Sequence, residues 1–550
     1  MKRGATSGRR VGSRSRSGDH GASSGLTGSA ASHAVPPRTR WWLLAGLLAV
    51  ATAIATFDPR LYINGDNVDF ILQGRRVLGG DLWPSDKFPP LFPLLLAPVQ
   101  LLTGESLIAQ KLLVLAAYAG SVWLLARIVR RRAPGTAGPF LLWIGATLIP
   151  VIEFSHYTMT EVPFLFFLLG AVDRCDRLLD GSAATSLGSA LRSRGTWLLG
   201  VWIAAAFYTR TVGVVAAAGI SGALLLRGRR RECLALIIAL GVLLVPWLAH
   251  GLRTPVGRGY VGQWLRIHPY HPELGRLDAA ALLRRLGQNL WVYFRDFVPA
   301  TILPVPYRST YSPVENPLAF RQPAWVAFPL LVPLAVGTIR ALRRADPAAM
   351  VLAVYFAVLM LWPAIWASNR FLVPVASLLF LYWWKGWEWR PLLPSAGHRR
   401  WVGRLALAMF LVIGATNLLR YGLETREYPA VWKSYFATLS WVREHTPPDA
   451  VIVDRKPGFV RYVCDRTARP FPLEKNPDAM LDAFREWGVT HVLLNSLPYY
   501  DIYAFLEPAV RSRKEYFAVA HQVVAPRASA IVFRFYPDGR PGADLPSADR

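Results

Sequence analysis

Two scarcities limit what this chain can be. It has three cysteines in 550 residues, Cys175, Cys233 and Cys464, and their spacing gives neither a zinc site nor a disulfide framework. Acidic residues are also few: 35 Asp and Glu stand against 62 Lys and Arg, for a formal charge of +27. Charged residues of both signs make up only 18%, below the roughly 25% of an ordinary soluble domain. No Asp-x-Asp pair occurs, and the C-terminal part has neither a Gly-rich phosphate loop nor an internal repeat. The nucleotide-binding motif and repeat arrays are excluded there.

What the chain has is apolar residues in blocks. Hydrophobic content is 53% and mean hydropathy is +0.28. Blocks at 41–57, 107–126, 233–250, 350–366 and 401–419 approach the roughly 20 residues that cross a bilayer. The expected class is a polytopic α-helical membrane protein. The positive excess does not point to nucleic acid, because it gathers in short segments between spans, at 127–132, 227–231, 340–344 and 398–404. Lys and Arg in such places mark the cytoplasmic side. The tail 1–40, rich in Arg, Ser and Gly, has too little apolar content to fold and reads as a cytoplasmic orientation signal beside anionic lipid. It lacks the apolar core and cleavage site of a secretory signal, so 41–57 reads as an uncleaved first span.

With the tail inside, about eleven transmembrane helices fill a multi-pass region 41–420, with external loops at 58–106 and 251–323. Every basic cluster then falls on one face. The aromatics at 382–384 and 387–389 suit an interfacial belt. The loop 251–323 is too long for an idle connection, and its stretch 282–294 has the spacing of a helix lying on the membrane surface. Residues 424–537 read as a small extracytoplasmic α/β domain, with helices at 431–444 and 478–487 and strands at 450–453, 490–494, 517–524 and 530–535,. A Pro/Gly/Asp-rich tail, 538–550, is expected to be disordered.

This topology brings Asp66, Asp69, Lys87, His156, Glu161, Arg210, His250 and Arg370 towards one membrane face. Any one of them singly is explained as a loop charge avoiding lipid; together they have a chemistry. A carboxylate takes the proton of a hydroxyl nucleophile, while Lys as a point charge and Arg as a planar fork neutralise a departing phosphate.

The motifs Asn64-Gly65-Asp66, Phe70, Gly79-Gly80 and Lys87-Phe88-Pro89-Pro90-Leu91-Phe92-Pro93 resemble the first external loop of the GT-C superfamily of membrane glycosyltransferases. The likeness is greatest to the branch of protein O-mannosyltransferases and lipid A aminoarabinose transferases. Thr158-Met159-Thr160-Glu161-Val162-Pro163-Phe164, Thr209-Arg210-Thr211-Val212-Gly213, Val245-Pro246-Trp247-Leu248 and Asn369-Arg370-Phe371-Leu372-Val373-Pro374 keep the family's order. The resemblance implies a polyprenyl-phosphate-sugar donor, an inverting transfer of a hexose or pentose on the external face, and a lipid, polysaccharide or protein acceptor. It implies Asp66 as the catalytic base, Lys87 on the donor phosphate, and Arg210 and Arg370 as supporting phosphate or structural residues. Many relatives carry Asp-Glu where this chain has Asp66-Asn67, which leaves the second acidic role to Asp69 or Glu161. The resemblance implies no certain cofactor; some branches hold a divalent cation between paired acids, and Asp66 with Asp69 leaves room for one. His156, Glu161 and His250 are candidates for substrate contact. The competing reading, a transporter or lipid flippase without transferase activity, accounts less well for charges at one face and halves that do not repeat.

Overall fold

The structure is a computed structural model describing residues 37–63, 65–135, 137–253, 262, 264–269, 271–303, 323–388, 395–424, 427–525 and 528–540. The expectations for the tail up to residue 36, for Asn64, for much of the loop 251–323 and for residues 541–550 lie outside these.

Helix α1 (Pro37–Ala55) opens the described chain, and the stretch expected as a loop then folds into α2 (Asn67–Leu78) and α3 (Leu91–Thr103). α2 is amphipathic: Val68, Phe70, Ile71 and Gly74 are buried, whereas Arg76 and Leu78 are exposed, as a helix lying against a body requires. α4 (Leu107–Arg132) starts on Ser106, whose hydroxyl accepts from the Ala109 amide, and ends in Arg130, Arg131 and Arg132, cations at the negative end of the helix dipole.

The stretch 138–154 forms two short helices, α5 (Gly138–Ala146) and α6 (Ile149–Phe154), in place of one span. Pro150 lies in the first turn of α6, where its missing N–H costs nothing but where no preceding helix can run on through it. α7 (Glu161–Asp180), α8 (Leu187–Arg192) and α9 (Arg194–Thr209) follow. Arg210 is extended, and a tight turn at Thr211–Gly213 leads into α10 (Val214–Leu226). Next come α11 (Arg230–Leu243), α12 (Val245–Arg253) and α13 (Ala279–Val292), the last being the amphipathic helix expected near 282–294. α14 (Ala324–Leu342), α15 (Pro347–Leu361), α16 (Ala376–Trp387) and α17 (Ala396–Glu424) complete the helical body.

Among the described residues, three helices, against about eleven expected spans, are long and apolar enough to cross a membrane: Leu107–Arg132, Arg230–Arg253 and Trp401–Leu423. The pair Ala327–Leu342 and Pro347–Leu361 passes together, but is bent by 118°. Large side chains such as Leu102, Leu252, Trp325 and Val412 are exposed, an apolar surface suited to lipid rather than water. α14 and α16 cross closely: a Cβ on Gly337 would lie 1.9 Å from the Tyr382 carbonyl oxygen, and one on Gly386 would lie 1.8 Å from that of Pro333. Only glycine permits that approach, the small-residue contact of membrane helices.

Three of the basic segments, 127–132, 227–231 and 340–344, meet in the fold, and they are not merely solvated. Arg132 pairs with Asp176 at 2.8 Å and Asp346 at 3.0 Å, Arg127 with Asp173 at 2.9 Å, and Arg227 donates to the carbonyls of Arg344 and Ala345.

After α17 the chain builds α18 (Ala430–His445), β1 (Val451–Val453), a turn of helix at Pro457–Phe459, β2 (Thr467–Arg469), α19 (Pro477–Glu486), β3 (His491–Asn495), β4 (Phe517–Val523) and β5 (Ala530–Phe535). The sheet order is β2-β1-β3-β5-β4. β1 runs parallel to β2 and β3, with Ile452 beside Ala468 and His491; β5 runs antiparallel to β3 and β4, with Val532 beside Leu493 and His521. β2 is a strand that the sequence reading did not contain. At Thr-Ala-Arg it is three residues long with one buried side chain, too short for a period of two to show.

Candidate functional site

Asp66 closes the turn that starts α2, and the turn depends on the glycine before it. Gly65 has φ +70°, and a Cβ there would lie 2.6 Å from the Met159 methyl and 3.0 Å from Arg370 Nη1. The backbone region and the space both select glycine. Gly65→Ala is expected to cost about 1–2 kcal/mol for the left-handed strain and the displaced neighbour, read as a lower melting temperature of the purified protein in lipid discs. A melt matching wild type would show that the turn relaxes freely.

Three elements converge on this turn. Arg370, in the tight turn before α16, donates from Nη2 to Asp66 Oδ2 at 3.3 Å and from Nε to Glu161 Oε1. Arg210, at the α9–α10 junction, donates from Nη1 to Glu161 Oε1 at 2.7 Å and to Thr160 Oγ1 at 2.8 Å. Glu161, the first residue of α7, is thus shared by two guanidiniums, with 1% of its side chain exposed, whereas Asp66 keeps 36% open.

A fourth element was not foreseen. The turn after β1 brings Lys456 and Gly458 onto α2: Lys456 Nζ donates to the Gly65 carbonyl at 3.4 Å, and a Cβ on Gly458 would lie 2.6 Å from Asp69 Oδ1. Buried Asp454 fixes this turn, its carboxylate accepting from Tyr435, from Asn495 at 3.1 Å and from the Lys456 amide at 3.0 Å. The signal was present as a basic pair and Pro-Gly directly after a parallel strand, the end where open α/β sheets place ligands.

The two aspartates differ electrostatically. Burial pushes the Asp66 carboxyl up, but Arg370, Lys87 and Lys456 outweigh it and hold it below its ordinary value of 3.8. Burial and then the neighbouring Asp66 charge push Asp69 up to about 6, against the pull of Lys456, Arg461 and Lys87. A carboxyl raised in the folded state stabilises fully below its unfolded value, and that stability is lost as pH rises to the folded value. Ionised Asp69 therefore costs stability above pH ~6, and Asp69→Asn is expected to stabilise by about 1–2 kcal/mol at pH ~7.5, after discounting for its partly open carboxylate, and by less at pH ~5. Melting curves of both proteins at the two pH values check this; an equal gain at both would assign it to packing.

Of the other sequence candidates, Lys87 acts electrostatically on both aspartates, with its Nζ 5.1 Å from the Phe88 ring centroid and its amide held by Ser85. His156 is fully buried, and its Nε2 is paired with the Tyr421 hydroxyl at 2.8 Å, in a polar group with Tyr157 and Lys111. Lys111 donates to the carbonyls of Asp58 and Arg60 and so ties the first loop to α4. A lysine inside an apolar span signals such a role. His250 stacks on Trp83 at 4.8 Å with rings 11° apart. The structure gives neither histidine a contact with Asp66.

Among the described residues, no group of three His, Cys, Asp or Glu side chains could hold a metal ion. The donor set fits a divalent cation poorly, since Arg370, Lys87, Lys456 and Arg461 already supply positive charge around the two aspartates.

No protein-family model matches the chain, and no curated protein matches its sequence. Solved structures do. The archaeal oligosaccharyltransferase AglB from Archaeoglobus fulgidus, in complex with an inhibitory peptide and a dolichol-phosphate, superposes with TM-score 0.57 and 12% identity, over 93% of this chain and 75% of that one. ArnT from Cupriavidus metallidurans bound to undecaprenyl phosphate gives TM-score 0.54 and 14% identity, over 90% and 98%. At such identities the likeness is one of fold: this chain has the GT-C fold of AglB and ArnT.

Proposed function

We propose that this protein is an integral membrane glycosyltransferase that moves a hexose or pentose from a polyprenyl-phosphate donor to a hydroxyl of a lipid, polysaccharide or protein, on the extracytoplasmic face and with inversion. The observation that carries the reading is an ionised carboxylate, Asp66, open on one side and ringed on the other by Arg370, Lys87 and Lys456. Asp66, Asp69 and Glu161 lie among the cations Arg210, Arg370, Lys87, Lys456 and Arg461, a positive surround that supports a phosphate-bearing substrate. AglB and ArnT were solved with polyprenyl phosphates, which supports the donor class.

In this reading Asp66 accepts the proton of the acceptor hydroxyl as its oxygen attacks the anomeric carbon from the side opposite the phosphate. The bond from that carbon to the phosphate oxygen breaks, and its electron pair leaves with the lipid phosphate, where Lys87 and Arg370 meet the charge. Asp69 is the second acidic group beside the base. Arg210 acts one step back, holding Glu161 and through it Arg370. His250, with Trp83, offers ring faces beside the Lys87 turn, and His156 supports the loop from below.

The test is a panel of radiolabelled polyprenyl-phosphate sugars presented to the protein in lipid discs. One donor is expected to turn over, and Lys87→Ala is expected to raise its KM about tenfold or more, as loss of a charged hydrogen bond does. A KM that does not move would take Lys87 off the phosphate. Failure of every donor to bind would favour the transporter.

A further inference from the structure

Along α2, Asp69, Leu72 and Arg75 are three residues apart and share one face. That face runs from the candidate carboxylates, over a rise of about 9 Å, into a separate cleft of about 750 Å³ between α2 and the C-terminal sheet. Leu72, Arg75, Arg461, Arg466, Arg469 and Trp487 line it, with Asp465 its one carboxylate. The volume is that of a small-molecule site.

The arginines are held in place mostly without being neutralised. Arg461 donates to the Ala468 carbonyl at 2.7 Å, and Arg466 to the carbonyls of Arg443 at 2.9 Å and Thr446 at 2.8 Å. Arg469 lies over the Trp487 ring at 5.4 Å. Carbonyl oxygens fix a guanidinium but leave its full charge facing outward. Among the described residues, Arg75 is the cleft arginine with an ion pair, to Glu105 at 2.5 Å, and its ring contact is with Tyr462 at 5.3 Å. Its Nε is buried and has no acceptor among the described residues.

We propose that this cleft binds an acid-bearing saccharide, the acceptor end of the transfer, and passes its hydroxyl along α2 to Asp66. The inference rests on the transferase reading above for the word acceptor, but not for the binding itself. Fixed guanidinium forks recognise carboxylate or phosphate oxygens in pairs, and the half-buried indole of Trp487 gives a sugar ring an apolar face. A cleft shared by the membrane body and the sheet segment also explains why the turn carrying Lys456 and Gly458 is pressed onto α2: the same docking forms both sites.

The experiment measures binding of a fluorescent uronic-acid tetrasaccharide to the full protein in zwitterionic-lipid discs. A neutral tetrasaccharide of equal length and inorganic phosphate serve as competitors. Wild type is expected to bind the acidic probe, with the neutral sugar competing poorly. Arg469→Glu, at an exposed position, is expected to weaken binding about tenfold or more by reversing one charge. Arg75→Gln, which keeps the helix, provides a second variant if Arg469→Glu misfolds. Equal affinity for acidic and neutral probes, or binding indifferent to both substitutions, overturns the proposal. Binding abolished in discs of anionic lipid would assign the cleft to headgroups and overturn it equally. Because the readout is binding, it stands or falls separately from donor turnover.

Discussion

Asp66→Asn is expected to lower sugar transfer by about 10²–10⁴ while the protein stays folded, the range for loss of a general base. The expectation of folding has its own grounds. Asparagine is as good as aspartate at the start of a helix, and the Asp66 side chain makes no cap bond to lose. Arg370 keeps its second carboxylate, Glu161, so no buried guanidinium is orphaned. Removing a negative charge from beside the proposed phosphate site is further expected to leave donor binding equal or tighter. The signature is therefore a fall in kcat with an unchanged or lower donor Kd, measured by single-turnover transfer and equilibrium donor binding. Transfer within a few-fold of wild type would move the base to Asp69. A parallel loss of donor binding would make Asp66 a binding residue instead.

Glu161→Gln is expected to destabilise the protein by about 3–5 kcal/mol, the cost of breaking a buried ion pair from one side. One oxygen of Glu161 receives Nη1 of Arg210 at 2.7 Å and Nε of Arg370. Its other oxygen has no partner among the described residues, so the charge is committed to the two guanidiniums. Glutamine keeps the volume and one acceptor, but removes the carboxylate that Arg210 pairs with and leaves Arg370 with Asp66. Thermal denaturation in lipid discs reads the loss. The double variant Glu161→Gln with Arg210→Gln is expected to recover part of it, because it removes one of the stranded charges. A Glu161→Gln melt close to wild type, or strict additivity in the double variant, would show that the three groups are not energetically joined.

The resemblance read from ordered motifs agrees with the fold, and the reason lies in what motifs encode. The sequences around Asp66, Glu161, Arg210 and Arg370 are short turns at helix ends, where Pro, Gly and charged residues leave local signals. Local geometry was accordingly legible. Helices formed at the expected apolar blocks, and four of the five strands lie where alternation and flanking turns put them. The helices within 58–106 were not legible because α2 and α3 are short and half-buried, and their apolar pattern acquires meaning only against a partner surface. Pro150 marks the break between α5 and α6 inside an otherwise apolar run.

By itself the sequence determined the helical, apolar-block character of the chain, the small C-terminal sheet and the residue types available for chemistry, because hydrophobic block length and alternation are properties of the chain alone. Tertiary structure alone decided which charges meet. It put Arg370 between Asp66 and Glu161, turned His156 towards Tyr421, and brought Lys456, Gly458 and the cleft arginines onto α2 from the far end of the chain. Electrostatic interaction falls with distance in space and is indifferent to separation along the sequence. No reading of spacing could therefore assign these partners before the docking of sheet on helix was seen.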